Sequence, residues 1–296
     1  MEFLAIVVDS SVRLMVPLLL ATMGELISER AGVMNVGLEG MMAAGAFGGF
    51  LAAICGLGMP AAIVVAIMCG AIAGSLMAFG AVWMKGNQIL VGFSLFILIP
   101  GLANFILVQA HASQATPALM EIRIPGLSLI PIVGKALFSQ NVFYYLAIVI
   151  SVVVWFMFAR TRLGLIISSV GHDPNRAETK GISPKWVQTY ALLACGALAG
   201  LGGAALSLGA VGSFTPNIIG GRGFIVIAIV ILGRWTVAGA AAGALLMGLL
   251  EALKLNLPQV SNIPIHLLGA LPWIVVIAML IVSSRMRSNA PRTLIN

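Results

Sequence analysis

Apolar residues run along this chain in long blocks separated by short polar breaks. Blocks at 60–84, 141–159, 186–210, 237–253 and 263–284 are almost free of charge. They are close to the ~20 residues a helix needs to cross hydrocarbon. Their Gly, Ala, Leu, Ile and Met content reads as helix, since a membrane barrel would alternate apolar and polar positions in ~10-residue stretches. Nine candidate crossings follow, at 11–29, 36–55, 60–84, 88–110, 141–159, 186–210, 218–233, 237–255 and 263–284. The segment 218–233 is short enough to dip into the membrane and return, so the count ranges from eight to ten. The expected fold is an all-α polytopic membrane protein, a single permease-like transmembrane domain over 1–296.

Composition strengthens this reading. Hydrophobic residues make up 60% of the 296 positions and charged ones 8%, too few polar groups to cover a water-soluble globule. Met1-Glu2-Phe3-Leu4 places an acid where a cleaved leader carries positive charge, so no leader is expected. The net charge of +7 marks topology rather than a nucleic-acid partner. With the C-terminus in the cytoplasm, Arg30, Lys85, Arg160, Arg162, Arg176, Lys180, Lys185, Arg234, Arg285, Arg287 and Arg292 fall inside. Only Arg13, Arg123, Lys135, Arg222 and Lys254 fall at or near the outside, in keeping with the positive-inside bias. Nine crossings then put the N-terminus outside.

Four crossings precede the fifth and four follow it, which leaves two halves in opposite orientation, an arrangement common among transporters. The division is repeat one at about 11–110, a linking helix at 141–159, a connecting segment at 160–185 and repeat two at about 186–284. Each half has a Gly-containing break after its first helix, at 31–37 and 212–221.

Three segments are too polar or Gly-rich for lipid-facing helix. From Glu25 to Gly40 the chain carries three acids, an arginine and an asparagine. A charge at the centre of a lone membrane helix costs ~2.5–3.5 kcal/mol on insertion scales, so Glu25, Glu29 and Glu39 must face protein, a wet cavity or the interface. In the structural reading Glu29 and Arg30 are interfacial and Asn35 ties off backbone freed by the break. In the functional reading Asn35 or Glu39 lines a translocation path. The second segment, Arg160 to Lys185, is a long basic loop whose Asp173, Pro174 and Gly181 suit the N-cap, first turn and C-terminal turn of a short helix. So rigid a helix between two spans suits docking of a second protein, against the alternative of a solvated charged loop. The third, Ser213 to Trp235, is broken by Pro216, Gly220, Gly221 and Gly223. There Phe214, Asn217 and Arg222 either satisfy loose backbone or face a solute.

Other chemistry is thin. Cys55, Cys69 and Cys195 occur singly and read as buried small hydrophobes. His111, His172 and His266 lack metal spacing. Gly134-Lys135 is no phosphate-binding loop, and no hydrolase or metalloprotease motif is present. A gradient-driven carrier is the competing class, but it calls for coupling acids within the spans, and no ladder of acids or histidines is found there.

The stretch Glu29-Arg30-Ala31-Gly32-Val33-Met34-Asn35-Val36-Gly37-Leu38-Glu39-Gly40-Met41-Met42 resembles the signature of ABC permeases that work with basic-membrane-protein-type receptors. These form the nucleoside and simple-sugar branch of the ribose and branched-chain amino-acid permease superfamily. Thr161–Leu165 with Val170–Gly181, and Gly221–Phe224 with Leu232–Trp235, are similar to further blocks of that family. Ser168-Ser169 and His172-Asp173 depart from its usual pattern beside the docking helix.

The resemblance implies a type II ABC importer-like fold and a pore subunit for nucleosides, with a simple sugar such as ribose as the alternative. It implies a second, longer permease, a cytoplasmic ABC ATPase and a periplasmic or lipoprotein receptor as partners, in a bacterial inner membrane. No cofactor is expected on this chain, ATP and Mg belonging to the ATPase. By carry-over, Asp173, Pro174, Asn175, Arg176, Ala177, Glu178, Lys180 and Gly181 contact the ATPase, and Asn35, Glu39, Phe214, Asn217 and Arg222 border the pore.

Overall fold

The computed structural model of the chain describes residues 2–109, 122–123, 137–215, 217–259, 265–283 and 290–294. His111, Lys135, Pro216, Arg285 and Arg287, and the side chains of His266 and Arg292, lie outside the described residues. Eleven helices are assigned among those residues. They are α1 (Glu2–Arg30), α2 (Leu38–Ile54), α3 (Met59–Ala78), α4 (Gln88–Gln109), α5 (Val142–Arg160), α6 (Arg162–His172), α7 (Pro174–Thr179), α8 (Pro184–Ala204), α9 (Arg222–Leu232), α10 (Val237–Asn256) and α11 (Ile265–Ser283). Ile122–Arg123 pairs antiparallel with Ser139–Gln140. Wider π turns extend α3 through Phe79–Trp83 and α8 through Ala205–Val211.

Six of these stretches are long and apolar enough to cross a membrane: Ala5–Arg30, Met59–Trp83, Gln88–Gln109, Val142–Arg160, Pro184–Val211 and Val237–Asn256. The expected crossing at 218–233 contains a helix of only 11 residues. At 1.5 Å per residue it is about 16 Å long, roughly half the ~30 Å hydrocarbon layer. The loop expected from Arg160 to Lys185 is instead largely helical. Thr161 caps α6 by accepting from the Gly164 amide at 3.3 Å, and the spacing of Ile166, Ile167 and Val170 turns one apolar face inward.

The second half of α1, α2 and α8 are buried on nearly every side. Close approach makes this possible. A Cβ on Gly196 or Gly200 of α8 would strike the backbone of α3 around Ala66, Gly70 and Gly74. Small residues thus substitute for the missing hydrophobic drive between helices in lipid. By contrast α4 and α5 turn Ile97, Leu98, Phe105, Val152, Val153 and Trp155 outward, the surface expected of a chain dissolved in lipid.

Candidate functional site

The C-terminal turn of α1 carries acids one turn apart at Glu25 and Glu29, both fully buried. Glu25 accepts hydrogen bonds from the Asn35 backbone N–H at 3.1 Å, the Ser28 hydroxyl at 3.1 Å and the Cys195 thiol of α8 at 3.3 Å. Its carboxylate therefore ties off the broken backbone, the role expected of Asn35. The Asn35 side chain instead donates to the Met41 and Cys195 sulfurs at 3.1 and 3.3 Å. Glu29 is enclosed by protein, where it accepts from the Trp235 indole. Arg30, half-buried, donates to the Trp235 carbonyl and lies 4.4 Å over the Phe158 ring. Neither Asn35 nor Glu29 reaches the cavities described below.

This knot reaches the connecting segment directly. Gly171, at the end of α6, packs on the Arg30 carbonyl and on Gly32 so closely that no Cβ fits. The Thr293 hydroxyl donates to the Gly171 carbonyl at 2.7 Å. Beyond Gly171 comes α7. Asp173 accepts from the Arg176 amide at 3.0 Å and pairs with its guanidinium at 2.9 Å. Gly181 closes the helix at φ +79°. Ala177 anchors it in the protein, while Asn175, Arg176, Glu178, Lys180 and Gly181 are exposed. Pro174 is intermediate. The caps legible in the sequence thus form a six-residue helix set on the α1 knot.

The second break runs from Gly212 to Gly221 and meets the first turn of α2. Glu39 accepts from the Gly221 backbone N–H at 2.7 Å, at the N-terminal end of α2 where a carboxylate is favoured. A Cβ on Gly223 would lie 2.6 Å from the Glu39 nitrogen, so only glycine lets α9 start this close to α2. Arg222 is bound on both flanks: it pairs with Glu251 of α10 at 2.6 Å and donates to the Ile218 and Ile219 carbonyls at 3.1 Å. Of its two sequence readings, structural pairing is the one the geometry supports. Glu251 is the lone acid of the 237–255 block, and an acid inside a span is a signal that a partner lies nearby.

A cavity of about 330 Å³ opens beside this junction, lined by Glu39, Phe96, Asn104, Phe214, Asn217 and neighbouring apolar residues. Three of the five residues expected along the path, Glu39, Phe214 and Asn217, are thus brought together. Phe214 is held edge-on against Phe47, ring centres 5.2 Å apart. Asn217 takes φ +66°, a conformation asparagine tolerates. A second cavity, about 390 Å³, is wholly apolar and lies between α2, α3 and α4, bordered by Cys55 and Cys69. Cys55 is exposed, against the expectation of burial, because it sits at the end of α2. Among the described residues no cluster of His, Cys, Asp or Glu is arranged to hold a metal.

The family profile of the permease component of branched-chain amino acid transport systems matches residues 7–284. TsgC13 of Haloferax volcanii, whose name describes a glucose ABC transporter permease, is 38% identical over 88% of this chain and 80% of its own length. The nucleoside ABC transporter permease NupC of Lactococcus lactis is 33% identical over 94% and 92%. A second protein of that organism, NupB, is 24% identical, and the chain spans 71% of it. In fold, a metal-chelate type ABC transporter solved in an inward-facing conformation is similar over 93% of this chain and 86% of its own, with a TM-score of 0.55 at 18% identity. The chain belongs to the permease-component family of branched-chain amino acid transport systems, as a membrane-embedded, non-enzymatic permease subunit of an ABC transporter.

Proposed function

We propose that this chain forms one half of the pore of an ATP-driven importer that carries nucleosides into a bacterial cell. The observation that carries the substrate is the likeness to NupC over nearly the whole of both chains. The likeness to TsgC13 is higher in identity but covers less of each chain, and it supports a simple sugar as the second reading. The partner in the membrane is a longer, related permease: the chain matches 92% of NupC but only 71% of NupB, so it stands with the shorter of two kinds. A cytoplasmic ATPase holding ATP and Mg, and an external receptor, complete the assembly.

The C-terminus and α7 lie in the cytoplasm, supported by the excess of Lys and Arg on that side. The exposed face of α7, Asn175, Arg176, Glu178 and Lys180, meets the ATPase. An inverted repeat relates α1–α4 to α8–α11, and the packing supports it. The first helix of each half leans chiefly on the third helix of the other, α1 on α10 and α8 on α3. The short second helices, α2 and α9, meet at the Glu39–Gly221 bond. On ATP binding the ATPase pair closes and displaces α7. The close fit of Gly171 on Arg30 and Gly32 carries that displacement into the α1 knot, and so to the start of α2. The solute crosses unchanged while contacts are traded between two conformations.

Uptake of labelled uridine, adenosine and ribose in cells with and without this chain tests the reading, with receptor, ATPase and second permease present. Nucleoside uptake that vanishes when the ATPase is inactivated is the expected result. Ribose uptake alone moves the substrate to sugars, and uptake indifferent to the ATPase overturns the reading.

A further inference from the structure

Two of the membrane-crossing stretches meet end to end: one finishes at Trp83, on the π extension of α3, and another begins at Pro184 of α8. Across that junction three rings form a ladder. The Trp83 indole donates to the Thr189 hydroxyl at 3.1 Å and stands edge-on to Trp186, ring centres 5.1 Å apart. Trp186 in turn stacks on Tyr190 at 5.9 Å. All three rings are exposed, although each is held by its neighbours. Large aromatic side chains left uncovered favour the boundary between hydrocarbon and water, which suits both a flat apolar body and a polar tip.

The ladder also carries cations. The Lys185 ammonium lies 5.7 Å from the centre of the Trp83 ring, and Lys85 follows Trp83 by two residues. Both lysines are exposed, and among the described residues neither pairs with an acid. The patch thus presents positive charge that the chain itself does not neutralise. Towards the membrane it continues into an apolar stripe: Ile72, Leu76 and Phe79, spaced four and three residues apart on one face of α3, are all exposed. From Ile72 to Trp83 is about 16 Å at 1.5 Å per residue, close to half of the ~30 Å hydrocarbon layer. A water-soluble protein matches the lysines but not this stripe. A molecule with an anionic head and an apolar tail matches both.

We propose that the exposed edge of the α3–α8 pair binds an anionic phospholipid. Lys85 and Lys185 attract its phosphate, and the ring ladder flanks its glycerol backbone. One acyl chain lies along the α3 stripe, in the leaflet on the α7 side of the membrane. Lys185 comes four residues after Gly181, which closes α7, so the lipid pins the start of α8 where the connecting segment returns to the membrane. The site takes a lipid rather than the transported solute, and it stands whether that solute is a nucleoside or a sugar.

The full-length chain in its assembled importer, stripped of lipid in detergent, is photolabelled with phosphatidylglycerol carrying a diazirine on one acyl chain. Label is expected in peptides covering 72–83, and unlabelled phosphatidylglycerol should displace it. Phosphatidylcholine with the same chains should compete about 10-fold more weakly, for want of net charge, and inorganic phosphate more weakly still, for want of a tail. In Lys85→Gln and in Lys185→Gln, half-maximal labelling is expected to need about fivefold more phosphatidylglycerol for each charge removed. Trp186→Leu, which keeps both charges, should raise it by a smaller factor. Equal competition by phosphatidylcholine makes the patch part of the general lipid boundary and overturns the proposal. Equal competition by inorganic phosphate makes it a bare anion site and overturns it as well. Wild-type label absent from 72–83 means that another subunit covers this face, and labelling indifferent to both lysine changes removes them from the site; either result sinks the idea. The assay uses no solute, so its outcome is separate from that of the transport reading.

Discussion

The break between α1 and α2 and the break between α8 and α9 are both short, contain glycine and carry hydrogen-bonding side chains. They end in opposite environments. In the first, Ala31, Gly32, Val33, Asn35 and Gly37 are buried; in the second, Thr215, Asn217 and Gly220 are exposed. The first is enclosed by the end of α6, the start of α8, the Trp235 turn and the C-terminal Thr293. Its freed backbone finds partners in side chains: Glu25 for Asn35, and Gln88 for Met34 at 3.0 Å. The second satisfies itself largely through tight turns at Gly212, Asn217, Gly220 and Gly221, all at positive φ, and borders the cavity. Every freed backbone group needs a partner. Where distant side chains supply it, the break is enclosed; where local turns supply much of it, one side borders the cavity.

This contrast can be broken by substitution. The largest expected effect is Gly32→Ala. Both its φ of +84° and its neighbours, Thr293 and the Gly171 Cα at 3.1 Å, oppose a side chain. The left-handed strain and the overpacking together cost about 3 kcal/mol, read as a lowered unfolding midpoint in detergent. Next is Glu25→Ala, which strands the Asn35 amide and the Cys195 thiol in a dry core. A loss of about 2 kcal/mol is expected, and Glu25→Gln should recover part of it, since its carbonyl can still accept from Asn35.

Gly220→Ala is the matched control in the open break. It shares a positive φ, +60°, but the nearest atom to an added Cβ is 3.6 Å away. Only the backbone strain remains, about 1 kcal/mol. A loss equal to that of Gly32→Ala would show that the second break is as enclosed as the first. The smallest effect on stability, under about 0.5 kcal/mol, is expected for Glu178→Lys on the exposed face of α7. Its readout is co-purification with the ATPase, which should fall sharply. Retention of the ATPase would remove α7 from the docking surface. Arg176 is the less clean choice, because its guanidinium is already paired with Asp173.

Much of the framework was legible locally. The apolar blocks foretold the long helices to within a turn for most, and Asp173, Pro174 and Gly181 foretold the ends of α7. The helix at 162–172 was legible too, in the Thr161 cap and the spacing of Ile166, Ile167 and Val170, although the basic residues around it equally suit a loop. The enclosure of Glu29 was not legible because its partner, the Trp235 indole, is 206 residues away in sequence. Arg222 could not be assigned between pairing and pore for the same reason: Glu251 lies 29 residues on, in a different helix.

By itself the sequence determined the solvent, the helical class, the places where helices break and the ends of the capped segments. These depend on hydropathy over a ~20-residue window and on contacts within one turn. Only the tertiary structure decided which break is sealed and which opens on a cavity. Glu25 and Glu39 are both acids beside a helix break. One is closed in by Asn35, Ser28 and Cys195, the other accepts from Gly221 at the start of α9 and borders the cavity. The difference lies in what other helices bring to each carboxylate, and helix packing in lipid is set by shape and close approach rather than by any pattern along the chain.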